Sequence, residues 1–139
     1  MTAVGLGIDV VGVEGFAAQL ADEASGFAEM TFTERERRAA AGDPEVRALR
    51  LAARFAAKEA FIKAWGAARA GRAPDVGTVD MREIEVVDDG YGRPSLSLHG
   101  AVAASVARLE TDLGRRVQAM VSLSHDGPAA AAVVLLSLG

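Results

Sequence analysis

Four charged residues, Arg54, Lys58, Glu59 and Lys63, fall within ten positions of one another in a stretch that also carries Phe55, Phe61 and Trp65. Three cations beside a carboxylate suit a phosphate site with a metal ligand. Magnesium binds hard oxygens, commonly one or two carboxylates completed by phosphate oxygens and water. Asp9, far upstream, could supply the second carboxylate. The neighbouring cations would neutralise charge on a phosphoryl group in transit. Glu59 and Lys63 taken alone are better explained as an i,i+4 helix pair worth a few tenths of a kcal/mol. The density of charge is what favours a site.

His125 stands in the succession Ser124-His125-Asp126. Three adjacent residues cannot converge in space as a nucleophilic triad, and no G-x-S-x-G elbow accompanies them. His125 on its own reads as a polar residue at a strand end, as does His99 beside Gly100.

The elements that must position these groups follow from periodicity. Val4, Leu6, Ile8 and Val10 alternate with Gly5, Gly7, Asp9 and Val11, the period of a strand with one apolar face. Asp9 lies on the other face, behind two glycines that permit close approach of a backbone or a ligand. A short helix is expected over Gly15 to Glu23. Thr33 and Glu36 form a capping box that opens another over Phe32 to Ala41. Asp43 as N-cap, Pro44 in the first turn and Gly66 as left-handed C-cap bound one long helix, Pro44 to Trp65. On it Leu51, Phe55, Ile62 and Trp65 form an apolar stripe with Lys58 projecting inside. A lysine there is costly unless it snorkels or meets an anion, so it marks a helix edge or a binding pocket. Glu59 and Lys63 follow one edge of that stripe and Arg54 the opposite edge.

Arg69 to Thr78 reads as a loop. Glu83 to Val87 and Ser95 to His99 are strands joined by a turn, and Ala101 to Leu113 is a helix. Val117 to Ser124 and Ala129 to Leu138 are strands around the turn His125-Asp126-Gly127-Pro128. The order β-α-α-α-β-β-α-β-β indicates an α+β fold, one domain over residues 1–139, with a largely antiparallel sheet and a long central helix.

Composition narrows the function classes. The chain has 139 residues, half of them hydrophobic and 24% charged, enough for one globular core without staples. The absence of cysteine excludes thiol chemistry and cysteine-ligated zinc. A net charge of −4 gives no overall footprint for nucleic acid. Ten of the fifteen Lys and Arg nevertheless lie between Arg35 and Arg72, against four acids. A basic patch within an acidic protein suits a small polyanion or an acidic protein partner. The longest apolar run, Ala129 to Leu136, is too short to span a bilayer. The first seven residues lack the basic start of a signal peptide, and a cytoplasmic location is expected.

Gly7-Ile8-Asp9-Val10, Phe32-Thr33-Glu34-Arg35-Glu36, the block ARFAAKEAFIKAWG from Ala53 to Gly66, Gly92-Arg93-Pro94 and Ser122-Leu123-Ser124-His125-Asp126 together resemble the holo-acyl carrier protein synthase type of 4′-phosphopantetheinyl transferase. The resemblance spans nearly the whole chain. It implies the 4′-phosphopantetheinyl transferase fold and magnesium-dependent transfer of phosphopantetheine from coenzyme A to a serine of an acyl carrier protein, with release of adenosine 3′,5′-bisphosphate. By motif position it implies that Asp9 and Glu59 hold the metal against the pyrophosphate, and that Lys63 stabilises the departing phosphate with Lys58 close by. It further implies that Arg54 contacts the 3′-phosphate side of the nucleotide and His125 a phosphate oxygen. Either Glu59 or a metal-associated water could take the serine proton. A homotrimer with active sites at subunit interfaces is also implied, as are roles in fatty acid or polyketide biosynthesis.

One position departs from the pattern: Gly15 stands where the family usually places an arginine that meets the acidic recognition helix of the carrier. A polyketide-type carrier, or compensation by Arg47 or Arg50, is expected to follow. Two other functions compete with transfer. One is a non-catalytic subunit that binds coenzyme A or a carrier protein. The other is a magnesium-dependent phosphohydrolase, which would release free phosphopantetheine.

Overall fold

The computed structural model describes residues 2–139. Strand β1 (Thr2–Gly12) leads through α1 (Val13–Ala21) and a 3₁₀ turn at Glu23–Ser25 to two short helices, α2 (Phe27–Thr31) and α3 (Glu34–Ala39). The long helix α4 (Pro44–Ala68) follows, then a 3₁₀ turn at Met81–Glu83 and the hairpin β2 (Ile84–Asp88) and β3 (Pro94–Leu98). Helix α5 (Gly100–Leu113) and the hairpin β4 (Val117–Asp126) and β5 (Ala129–Leu138) complete the chain. All strand pairing is antiparallel. It is divided between a three-stranded sheet in the order β1-β5-β4 and the separate β2-β3 pair.

The glycines of β1 explain how α4 sits on the larger sheet. Gly5 and Gly7 face the helix so closely that a Cβ on Gly7 would collide with the Ala60 carbonyl and lie 2.7 Å from the Ala64 amide nitrogen. The helix answers with small side chains: Ala53, Ala56, Ala60 and Ala64, spaced at three and four residues, are all buried. Three large apolar side chains of β1 consequently point the other way, whereas Val4 and Val11 pack against the core. Leu6, Ile8 and Val10 are each more than half exposed. They continue across the outer face of the sheet to Val133 and Leu135 on β5 and Met120 on β4.

Several expectations are revised by packing. Helix α4 runs through Gly66 to Ala68, and Gly66 takes no left-handed conformation. The extra turn is held where Arg69 lies over the Trp65 ring and Ala68 packs under Gly5. The expected stripe is only partly buried: Leu51 is in the core, whereas Phe55, Ile62 and Trp65 are half-buried because the alanine face holds the closest packing. Phe55 instead joins Phe16, Phe27 and Phe32, whose rings meet at 5.5 to 6.4 Å in edge-on and tilted pairs. The Thr33–Glu36 capping box is present, with the helix beginning at Glu34 rather than Phe32. His125 belongs to β4, since the strand continues to Asp126 and turns at Gly127-Pro128. His99 is the residue before α5.

Candidate active site

The sheet face that holds Gly5 and Gly7 also carries Asp9, one step further along β1, and α4 brings Glu59 and Lys63 to it. Lys63 Nζ donates to Asp9 Oδ1 at 3.0 Å and to the Ile8 carbonyl at 2.9 Å. The Asp9 side chain is largely buried, while that of Lys63 remains half exposed. Glu59 is half-buried beside them. Burial raises the Glu59 pKa above the usual glutamate range, the Asp9 charge raises it further, and Lys63 opposes both. Two carboxylates that repel each other, with a half-exposed lysine for compensation, form a hard-oxygen donor pair suited to a divalent cation. Among the described residues no group of three or more His, Cys, Asp or Glu could hold a metal alone. Two carboxylates are the donor set that magnesium takes when substrate phosphates and water complete its shell.

The sign of the Glu59 shift makes a prediction. A raised pKa means the folded chain binds this proton more tightly than the unfolded chain. Glu59 thus adds to metal-free stability at acid pH, and that contribution is lost as pH rises through the raised pKa. A divalent cation held by this carboxylate would have to displace the same proton. The magnesium concentration for half-maximal binding should climb by up to about tenfold per pH unit below the raised pKa. The rise should begin at a higher pH than an ordinary glutamate would give, and Glu59→Gln should flatten it. Calorimetric titration with magnesium and coenzyme A across acid pH measures the effect.

A second cluster lies on the neighbouring flank of α4. A cleft of about 410 Å³ is lined by Arg50, Arg54, Asp88, Gly92, Pro94 and His125. Arg54, more than nine-tenths buried, donates from Nη2 to Asp88 Oδ2 at 2.7 Å and from Nη1 to the Arg50 carbonyl at 3.2 Å. Its Nε is buried without a partner. His125 is exposed at the rim. The cleft thus offers two guanidinium groups and an imidazole, a recognition set for an anion such as a phosphate.

The two clusters share one face of the sheet. Asp9 pairs through Ala132 with Leu123, and His125 pairs through Ala130 with Val11. The offset of two residues along and two strands across places the Asp9 and His125 backbones about 12 Å apart.

Lys58 takes part in neither cluster, which corrects the expectation that it stands near a phosphate. It is fully buried, and its ammonium donates to Glu36 Oε1 at 2.8 Å, to the Met81 carbonyl at 2.8 Å and to the Ile84 carbonyl at 2.6 Å. All three of its protons are used. Burial pushes its pKa down, and the Glu36 charge opposes that shift. Sequence reasoning missed two partners here. Glu36 had its role in the capping box, which concealed its second role opposite Lys58. Asp88 sat in a run of turn-forming residues, and only the close of β2 against α4 turns it toward Arg54.

Comparison with known proteins identifies the family. The profile described as the 4′-phosphopantetheinyl transferase superfamily matches residues 5–132. The chain is 41% identical over 136 residues to the holo-[acyl-carrier-protein] synthase of Nocardia farcinica, covering 98% of this chain and 88% of that protein. It is 45% identical over 136 residues to the synthase of Mycobacterium bovis (strain BCG / Pasteur 1173P2), covering 98% of each. Among solved structures, the Chronobacterium ammoniagenes ACPS-CoA complex superposes with a TM-score of 0.85 at 43% identity over 97% of each chain.

Proposed function

This chain belongs to the 4′-phosphopantetheinyl transferase superfamily, and from that premise we propose that its two clusters are the two halves of one coenzyme A site. The enzyme is a holo-[acyl-carrier-protein] synthase: it transfers 4′-phosphopantetheine from coenzyme A to a serine of an apo-acyl carrier protein. The serine oxygen forms a bond to the phosphorus that carries pantetheine, the bridging bond of the pyrophosphate breaks, and adenosine 3′,5′-bisphosphate departs. The observation that carries the division of labour is the pairing of Asp9, Glu59 and Lys63 on one side of α4 with an anion-binding cleft on the other.

In this reading Arg54 and His125 hold the nucleotide phosphates from the cleft that both line, with the Arg54 guanidinium held in place by Asp88. Asp9 and Glu59 hold magnesium, which when bound supplies charge neutralisation at the pyrophosphate. Lys63, freed from Asp9, stabilises negative charge on the leaving bisphosphate. Glu59 is the chain's own candidate to accept the serine proton, and full transfer by Glu59→Gln would assign that proton to water instead. The product discriminates the competing functions: bisphosphate released only when apo-carrier is present marks transfer, and release without carrier marks hydrolysis. Coenzyme A binding with neither outcome marks a binding subunit.

We further propose a cytoplasmic homotrimer. The support is the outer face of the three-stranded sheet, where Leu6, Ile8, Val10, Met120 and Val133 are exposed together, a contiguous apolar surface of the kind that marks an interface. The double substitution Leu6→Glu/Met120→Glu should convert a particle about three times the 14.4 kDa chain mass into a monomer. Light scattering coupled to size-exclusion chromatography reads the change. Among the described residues no helix is long and apolar enough to cross a membrane.

Carrier preference is proposed from α1, which contains Glu14 and no basic residue. Gly15 is exposed, and an added side chain there meets nothing within 4 Å. Of the two arginines that could compensate, Arg50 lines the nucleotide cleft, whereas Arg47 stands beside Leu20 and Asp22 next to α1. A carrier with a less acidic contact surface, such as a polyketide-type domain, fits α1 better than the fatty-acid carrier. Gly15→Arg should raise kcat/KM on an acidic fatty-acid carrier by about three- to fivefold, the range of an exposed charge pair, relative to a polyketide-type carrier. An unchanged ratio refutes the assignment.

A further inference from the structure

The contact that positions Glu59 has one smooth side and one pinned side. Against β1 the helix presents Ala60, Ala64 and Ala68 to Gly5 and Gly7. Such surfaces approach closely but carry no large knobs to fix how far the helix slides along the strand. Against β2 and α3 the contact is polar and directional. Lys58 Nζ is held by Glu36 Oε1 and by the Met81 and Ile84 carbonyls. Glu36 is itself fully buried. Its Oε1 also accepts the Thr33 amide at 3.0 Å and its Oε2 accepts the Val86 amide at 3.0 Å. One turn earlier Arg54 reaches Asp88, so successive turns of α4 meet β2 at residue 88 and then residue 84 in antiparallel order.

We propose that the buried Lys58–Glu36 pair is a positioning device for the reaction: it fixes the translation and rotation of α4, and thereby the spacing of Glu59 from Asp9. Glu59 follows Lys58 directly, ~100° around the helix and ~1.5 Å along its axis, so displacement at the pin is delivered to the carboxylate without attenuation. Hydrophobic packing would hold the helix in place less selectively, since apolar contacts are non-directional. The pair also satisfies the Thr33 and Val86 amides and the Met81 and Ile84 carbonyls, so a variant that keeps the charge and shortens the reach separates position from stability better than an apolar replacement. The inference rests on the reading of Asp9 and Glu59 as the metal pair.

Two variants test it. Glu36→Asp keeps the charge but withdraws the carboxylate by about one bond length, ~1.5 Å. Glu36→Leu/Lys58→Met removes the pair and fills its volume. Each is compared with wild type for thermal midpoint, for manganese binding in the presence of coenzyme A by electron paramagnetic resonance, and for kcat and KM. The expected result, read at a temperature where each variant is folded, is manganese affinity lowered about tenfold or more and kcat lowered more than KM rises in both variants, with a lower midpoint in the double variant because the Thr33 and Val86 amides and the Met81 and Ile84 carbonyls lose their partners. A displacement of ~1 Å at a reacting group is enough for losses up to about 100-fold. Wild-type manganese affinity and kcat in either folded variant overturn the proposal. A wild-type enzyme that neither binds manganese nor transfers overturns the reading of the metal pair instead, and the two failures are distinct.

Discussion

Asp9→Ala is expected to lower the rate of phosphopantetheine transfer by about a thousandfold, the loss of roughly 4 kcal/mol of transition-state stabilisation, while the protein stays folded. Asp9 lies on the inner face of β1 with its carboxylate against Lys63 and Glu59. Its one salt bridge is to a half-exposed lysine, so its removal costs at most about 1 kcal/mol of stability. Glu59 in the variant keeps the pKa rise due to burial and loses the part due to the Asp9 charge. A single carboxylate then faces the pyrophosphate beside an unpaired lysine. Bisphosphate release measured at saturating coenzyme A and carrier, with the thermal midpoint as a control, checks the prediction. A folded Asp9→Ala enzyme that keeps a tenth or more of the wild-type rate would remove Asp9 from the metal pair.

Gly7→Val is expected to have the largest effect on stability, above about 4 kcal/mol, the range reserved for severe steric mechanisms in a core. A Cβ at position 7 meets backbone atoms of Ala60 and Ala64, which cannot rotate away as a side chain would. The helix must lift from the strand, and the alanine face of α4 loses its packing along Ala56, Ala60 and Ala64. At about 4 °C per kcal/mol for a chain of this size, the thermal midpoint should fall by ~15 °C or more at equal protein concentration. The same displacement separates Asp9 from Glu59, so activity should be lost at temperatures where the variant is still folded. Leu6→Val, whose side chain points outward, is the control and should change little in the fold.

These two residues also show what was legible in the sequence. The glycine–carboxylate alternation of β1 announced a close approach, and α4 supplied the approaching backbone. The direction of the apolar face was not legible, because Val4, Leu6, Ile8 and Val10 match a strand that buries its large side chains. Only the alanine content of α4, read jointly with Gly5 and Gly7, reveals that the small residues face inward and the large ones outward. The start of α4 at Asp43-Pro44 was plain, but its end at Gly66 was not, since the turn beyond is held by contacts from β1 and by the Arg69–Trp65 stack. The five-residue helix α2 is too short to show a period. Among the candidate site residues, Arg54, Lys58, Glu59 and Lys63 are readable as a group by charge and spacing, whereas Asp9 joins them only as a possible second carboxylate and through the family resemblance. Local pattern marks Lys58 only as a helix edge or a pocket, because its partner lies 22 residues away in a capping box and nothing nearby in the sequence joins the two.

The most direct test of the central claim is intact-protein mass spectrometry of a fatty-acid apo-carrier and a polyketide-type apo-carrier, each incubated with this enzyme, coenzyme A and magnesium, beside Asp9→Ala. The account predicts a mass gain of one phosphopantetheine group on at least one carrier, faster on the polyketide-type carrier, and a gain about a thousandfold slower with Asp9→Ala. No gain on either carrier from an enzyme that still binds coenzyme A would contradict it and leave a binding subunit in its place.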